Sequence, residues 1–154
     1  MAYLHNTKYD TFIELQLKNN KENNFWLKYI LNLGIKQNYK YVTVLSLNNS
    51  QLYLDAFLEP EVPKICKGLL SVINKNTNKF IFEPIDEKDF RLEFKNNKDK
   101  YIIEIFSDQF NINNSIDWIF ESKIGLKMEV TKEEILKFIS SLQSEYDNIV
   151  TRCQ

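Results

Sequence analysis

The chain has 154 residues and a formal net charge of −1, with hydrophobic residues at 44% and charged ones at 27%. That length suits one domain, able to hide roughly 70% of its unfolded surface without disulfides. The near-neutral balance gives whole-chain electrostatics no pull towards nucleic acid or an anionic membrane.

Eleven Phe, eight Tyr and two Trp against three Gly and three Pro favour strands over long flexible linkers. The opening "MAYLHNTKYDTF" has no apolar signal-peptide core, and residues 1–8 are expected to form a mobile N-terminus. No stretch approaches the ~18 apolar residues of a spanning helix, so a cytoplasmic location is expected. After that the hydrophobic period is mostly two. "FIELQLK" puts Ile13, Leu15 and Leu17 on one side. In "FWLKYILNLGI", Phe25, Leu27, Tyr29, Leu31 and Leu33 share one face, and Trp26, Lys28, Ile30 and Asn32 share the other. "YVTVLSL" and "QLYLDAFL" flank Asn48, Asn49 and Ser50, which read as a turn. The first third therefore reads as four antiparallel strands.

At Glu59 the period becomes helical. Val62, Ile65, Cys66, Leu69, Leu70 and Ile73 share a stripe, and Pro63 falls in the first turn, where its missing N–H is tolerated. This predicts a helix over 61–74. "KFIFEP", "DFRLEF", "KYIIEIF" and "DWIFESKIGLKMEV" supply four more strands. The last alternates from Trp118 through Phe120, Ser122, Ile124, Leu126 and Met128 to Val130, with Gly125 read as a bulge marker. Thr131 to Glu134 has the pattern of a capping box, in which Thr131 accepts from a first-turn N–H and Glu134 reaches back to the Thr131 N–H. Ile135, Phe138, Ile139, Leu142, Tyr146 and Ile149 then stripe a helix over 131–149. The expected fold class is α+β, one domain over residues 1–154. A single antiparallel sheet of about eight strands, in β4-α-β4-α order, would carry both helices on one face.

The residues offer little catalytic chemistry. His5 is the one histidine and reads as a solvated tail residue, so a Ser-His-Asp or Cys-His pair has no natural candidate. Cys66 and Cys153 form no CxxC and read as free thiols of a reducing compartment in preference to a disulfide. With His5 they are too few and too scattered for zinc. "DEKD" at 86–89 lacks the oxygen spacing and glycine of a calcium loop. Gly34, Gly68 and Gly125 are isolated, which excludes a glycine-rich phosphate cradle. No catalytic residue, cofactor or metal is expected. Lys and Tyr interleave in "IKQNYKYV", a pattern that can bind nucleic acid, but Tyr39 and Tyr41 read more simply as strand residues, core or half-exposed. Acidic residues concentrate in "EPIDEKDFRLE" and again at Asp108 and Asp117. These are solvated loops or, on the sharper reading, a surface for a basic partner, with Asp86, Glu87, Asp89, Asp108 and Asp117 as contacts. Failing that, the sheet face bearing Trp26, Lys28 and Ile30 is the next candidate.

"KFIFEPIDEKDFRLEFKNNKDKYIIEIFSDQF" resembles a segment of small bacterial immunity proteins, where an F-x-F-E-P turn precedes a D-F-x-L-x-F strand, a polar turn and a Y-x-I-x-I strand. "NNFWLKYILNL" resembles the N-W-L strand of that family, with Phe25 inserted before Trp26. "EVPKICKGLL" resembles its middle helix apart from Pro63, and "TKEEILKFISSLQSE" its closing helix. The group is the immunity family typified by the partner of the wall-associated protein A toxin, and the resemblance spans about residues 9–147. It implies a non-enzymatic antidote of a polymorphic or contact-dependent toxin system, which binds and neutralises a cognate toxin domain. It carries over no site residues. The alternatives are a sheet-and-helix binding module for an apolar small molecule, or a phage or bacterial inhibitor acting on another protein. A small enzyme ranks last.

Overall fold

In the computed structural model, which describes residues 1–20, 26–53, 60–85, 89–98, 100–107, 111–112 and 124–153, the strands fall into two antiparallel sheets and not one. The first runs β1 (Ala2–His5), β2 (Thr11–Asn19), β3 (Trp26–Gln37) and β4 (Lys40–Tyr53), with the two-residue β8 (Asn111–Ile112) against β4. The second runs β5 (Lys79–Phe82), β6 (Arg91–Asn97), β7 (Lys100–Ser107) and β9 (Ile124–Val130). Helix α1 (Glu61–Ile73) lies between β4 and β5, and α2 (Lys132–Cys153) follows β9. The α+β class and the alternation of a strand block, a helix, a second strand block and a second helix match the sequence, although the first block gains β1 and merges two expected strands into β4, and the second gains β8. The single sheet does not match, because alternation fixes which face of a strand is apolar and says nothing about which strands pair.

The two halves share one apolar core. Leu15 and Leu17 of β2, Leu27, Tyr29, Leu31 and Leu33 of β3, Leu92 and Phe94 of β6, and Ile103 and Ile105 of β7 are all buried in it. Val62, Ile65, Cys66 and Leu69 of α1 and Ile135, Phe138, Ile139 and Leu142 of α2 complete it. α1 packs on β5 and β6, α2 on β1 and β2, and the helices touch each other. Each helix thus packs mainly on a different sheet, with α1 also touching β4 of the first, where both were expected on one face of a single sheet. Glu61 opens α1 fully buried, its carboxylate accepting the Ile85 N–H at 2.7 Å.

Three local expectations change. The end expected to be mobile contains β1, antiparallel to β2 with Leu4 opposite Ile13, and Ala2 and Leu4 are buried. A four-residue strand is too short to show a period. Asn48, Asn49 and Ser50 make no turn but lie within β4, where Tyr29 pairs with Ser50 and Leu31 with Leu47. The extra residue there is a bulge, and a second one falls at Val44, between the pairs Leu33–Leu45 and Gly34–Thr43. Gly125 marks no bulge. It pairs in regular register with Phe106, and a side chain there would collide with the Ile105 carbonyl and the Phe106 backbone. Of the strand expected from Asp117, Ile124–Val130 is present, while Trp118, Phe120 and Ser122, like Phe25, lie outside the described residues. No helix among the described residues is long and apolar enough to cross a membrane.

Candidate functional site

β3 and β4 are joined by two residues, Asn38 and Tyr39, with Gln37 pairing Lys40. Both central residues have positive φ, 48° and 63°, as a tight type I′ hairpin turn requires. Asn suits the first position. Glycine is the usual second residue, and a bulky side chain held there costs about 1–2 kcal/mol. Tyr39 is 94% exposed, so no burial offsets that strain.

Beside this tip lies the loop between β1 and β2. Asn6 Oδ1 accepts from the backbone N–H of Asp10 at 3.0 Å and of Thr11 at 3.2 Å, and Asn6 Nδ2 donates to Asp10 Oδ1 at 2.6 Å. The Thr7 N–H donates to the Glu129 carbonyl of β9 at 2.9 Å, and the Lys36 N–H to the Asp10 carbonyl at 2.7 Å. These bonds fix Tyr9, at 48% exposure, with φ 57°. Tyr9, Asn38 and Tyr39 line one open cleft of about 350 Å³ together with Lys36. Among the described residues the only other non-glycine residues with positive φ are Lys75 and Lys98. Backbone strain held in place by its surroundings is a mark of functional surfaces.

The cleft adjoins a second packed cluster, on the outer face of the first sheet. Phe12 is 1% exposed yet lies outside the main core. Tyr41 meets it edge-on at 5.1 Å between centroids and Tyr3 at 6.0 Å. Its ring covers Gly34, where a Cβ would come within 2.6 Å of it. His5 sits among Tyr3, Tyr9 and Tyr41 at 6.1, 5.6 and 5.7 Å. Its Nδ1 is 3.2 Å from Glu134 Oε2 and its Nε2 3.0 Å from the Tyr41 hydroxyl. An ionised carboxylate only accepts, so in the neutral ring Nδ1 carries the proton and Tyr41 donates to Nε2. Tyr9 donates to Glu134 Oε1 at 3.0 Å. Burial alone would push Glu134 up, but bonds from Tyr9, Lys137 and His5 hold its carboxyl below the usual range. One row along, Tyr3 donates to Glu14 at 2.8 Å, Asn32 to Glu14 at 2.7 Å and Ser46 to Asn32 at 2.8 Å, a polar chain across four strands. Burial and then the Glu14 bond push the Tyr3 phenol up to about 12.

The two sheets differ in how they handle charge. On the second, Lys79 and Arg91 pair with Glu93, Arg91 also with Glu83, Lys95 and Lys127 with Glu104, and Lys100 with Glu129. Around the cleft, Lys8, Lys36 and Lys40 form no ion pair with any described residue. Lys36 Nζ instead lies 5.5 Å from the Tyr41 ring centroid. The nearby carboxylates are engaged: Asp10 by Asn6, Glu14 by Tyr3 and Asn32, and Glu134 by His5, Tyr9 and Lys137. The arrangement offers phenol faces, the Tyr39 hydroxyl and cations that have no ion-pair partner among the described residues, on a stiff frame, which suits recognition of an anionic group.

Of the five contacts expected from sequence, Asp89 alone is among the described residues. Asp86, Glu87, Asp108 and Asp117 lie outside the described residues. Asp89 is no surface carboxylate. It is 2% exposed, accepts from the Tyr29 hydroxyl at 3.3 Å, and its carbonyl accepts from the Ser107 hydroxyl, so it ties the second sheet to the first. Trp26, Lys28 and Ile30 are half-buried on the outer face of β3 that continues to Lys36. His5 is no solvated tail residue, and Tyr39 is a turn tip and no strand residue. The signal for the cleft was an Asn in "QNYK" without the Gly that marks such hairpins. Cys66 is a free, buried thiol, pushed by burial to about 11, and the Cys153 side chain lies outside the described residues. Among the described residues no three His, Cys, Asp or Glu side chains converge as a metal site needs. Neither a family model, nor a curated protein, nor a solved structure matches this chain.

Proposed function

We propose that this chain is a non-enzymatic immunity protein that binds a cognate bacterial toxin domain and blocks it. Two things support the reading. One is the resemblance over about residues 9–147 described above. The other, which carries most weight, is Tyr39, fully presented to solvent on a strained turn of a stiff sheet. Protein interfaces draw their binding energy from a few such aromatic anchors, and pre-organisation lowers the entropy lost on docking. Nanomolar neutralisation needs about 12 kcal/mol, within reach of an interface of ordinary size. The test is co-expression, in a bacterial host, of this chain with the protein encoded by the adjoining gene. Relief of growth arrest and a stable stoichiometric complex are expected. Arrest that persists despite well-expressed, folded protein, with no complex formed, overturns the proposal. An apolar cleft lined by Leu33, Ile35, Val44, Leu45 and Leu126 gives the small-molecule alternative a location, but its volume of about 140 Å³ is under half the lower end of ligand pockets, about 300 Å³.

A further inference from the structure

We infer that the cleft between Tyr9 and Tyr39 is the docking point for an acidic segment of the partner protein, with a carboxylate seated against Lys36 between the two rings. The inference rests on the immunity reading and deepens it. It also reverses the polarity expected from the sequence, where acidic loops of this chain were to meet a basic toxin. Three independent features converge on the cleft. Strain is the first: Tyr9, Asn38 and Tyr39 all hold positive φ, and all three line it. Rigidity is the second: the Asn6 bonds, the Thr7 bond to β9 and the Lys36 bond to Asp10 fix both walls.

Charge is the third feature, and it selects the occupant. Five cations of the second sheet are neutralised by that sheet's own glutamates. Lys8, Lys36 and Lys40 have no such partner among the described residues, and the acids near them are already hydrogen-bonded. A cation beside phenol rings is completed by a carboxylate, which Lys36 can pair with and the Tyr39 hydroxyl can donate to, the Tyr9 proton being held by Glu134. A nucleic-acid strand is the less favoured polyanion. Tyr3, Phe12 and His5 are spent on one another and Tyr9 stacks on His5, which leaves Tyr39 as the fully presented ring of the cleft, and the whole chain carries −1.

The test has two arms. First, the ¹⁵N-labelled chain is titrated with a short Glu-Gly repeat peptide and, separately, with a short oligothymidylate, following backbone signals by NMR. The peptide should move Tyr9, Lys36, Asn38 and Tyr39 in a salt-sensitive way, and Lys36→Glu should abolish the effect. Oligothymidylate moving them while the peptide does not would overturn the inference in favour of nucleic acid. Signals that shift with protein concentration alone would overturn it in favour of a second copy, and no shift with either probe would overturn it outright. Second, the domain encoded by the adjoining gene is titrated against wild type, Lys36→Gln and Tyr39→Ala. Each variant should bind about tenfold or more weakly, the loss of one charge-assisted or aromatic contact. Wild-type affinity in both variants sinks this inference while leaving the immunity reading intact. No binding by the wild-type chain sinks the immunity reading itself.

Discussion

Tyr39 holds a backbone conformation that glycine adopts freely and L side chains resist, and it gains no burial in return. Tyr39→Gly should therefore stabilise the isolated protein by about 1 kcal/mol, since relief of strain exceeds the extra chain entropy of glycine. Urea denaturation reads this directly, and a variant less stable than wild type would show that the ring makes a stabilising contact. Gly34 is the opposite case. A Cβ there would run into the Phe12 ring and the Val42 carbonyl, and neither has room to withdraw because Phe12 is enclosed by Tyr3 and Tyr41. Gly34→Ala should cost about 1–3 kcal/mol by overpacking, measured in the same way. A neutral outcome would mean that the outer-face cluster is loose. Neither residue announced itself in the sequence. Tyr39 sits where a turn signal would carry Gly, and the need for Gly34 comes from Phe12, on a different strand.

The elements divide into those whose cause is local and those whose cause is a neighbour. The apolar stripe of α2 is local, and Ile135, Phe138, Ile139, Leu142 and Tyr146 are buried as their spacing demanded. Its start is local too: the Glu134 N–H donates to Thr131 Oγ1 at 3.2 Å. Thr131→Ala should cost about 1 kcal/mol, because a first-turn N–H loses its acceptor, and thermal unfolding checks it. The return half of the capping box is absent, since the Glu134 carboxylate is taken by His5, Tyr9 and Lys137 from outside the helix motif. The phase of β3 was likewise legible. Strand partners were not: β1 pairs with β2, the Asn48–Ser50 stretch is absorbed as a bulge, and the sheet divides in two. Pairing depends on contacts distant in sequence, and a period of two is the same in one sheet or two. The candidate site was illegible for the same reason, since it is assembled from β1, the loop after it, the β3–β4 tip and the first turn of α2.

At the scale of the whole molecule, two sheets and two helices share one core, so damage at the helix contact should be felt throughout. Phe138 is 2% exposed and Leu142 fully buried. Truncating either to Ala should cost about 2–5 kcal/mol through lost burial and a residual cavity, with a single cooperative transition retained in denaturant. The same integration sets the response to pH. At the acid end, Lys79 and Arg91 hold Glu93 low, and Lys95 and Lys127 hold Glu104 low. Their contribution is present above the ordinary carboxylate range and is lost as pH falls through the depressed values. At the alkaline end the sign reverses. Burial raises the Cys66 thiol from 9.0 to about 11, and burial with the Glu14 bond raises the Tyr3 phenol from 10.0 to about 12. Between those limits the folded chain keeps protons that the unfolded chain releases, so each further unit of pH favours unfolding. Stability should be level from above the carboxylate range to about pH 9 and should decline from there to about pH 12, with the raised Lys95 and Lys137 adding to the loss at the upper end. Urea midpoints measured from about pH 8 to 11 check this. The double variant Cys66→Ala, Tyr3→Phe should start lower, because it loses packing and a hydrogen bond, yet fall less steeply with pH. An equally steep decline in that variant would place the alkaline sensitivity on other groups and would mean that Cys66 and Tyr3 ionise as readily in the folded chain as in the unfolded one.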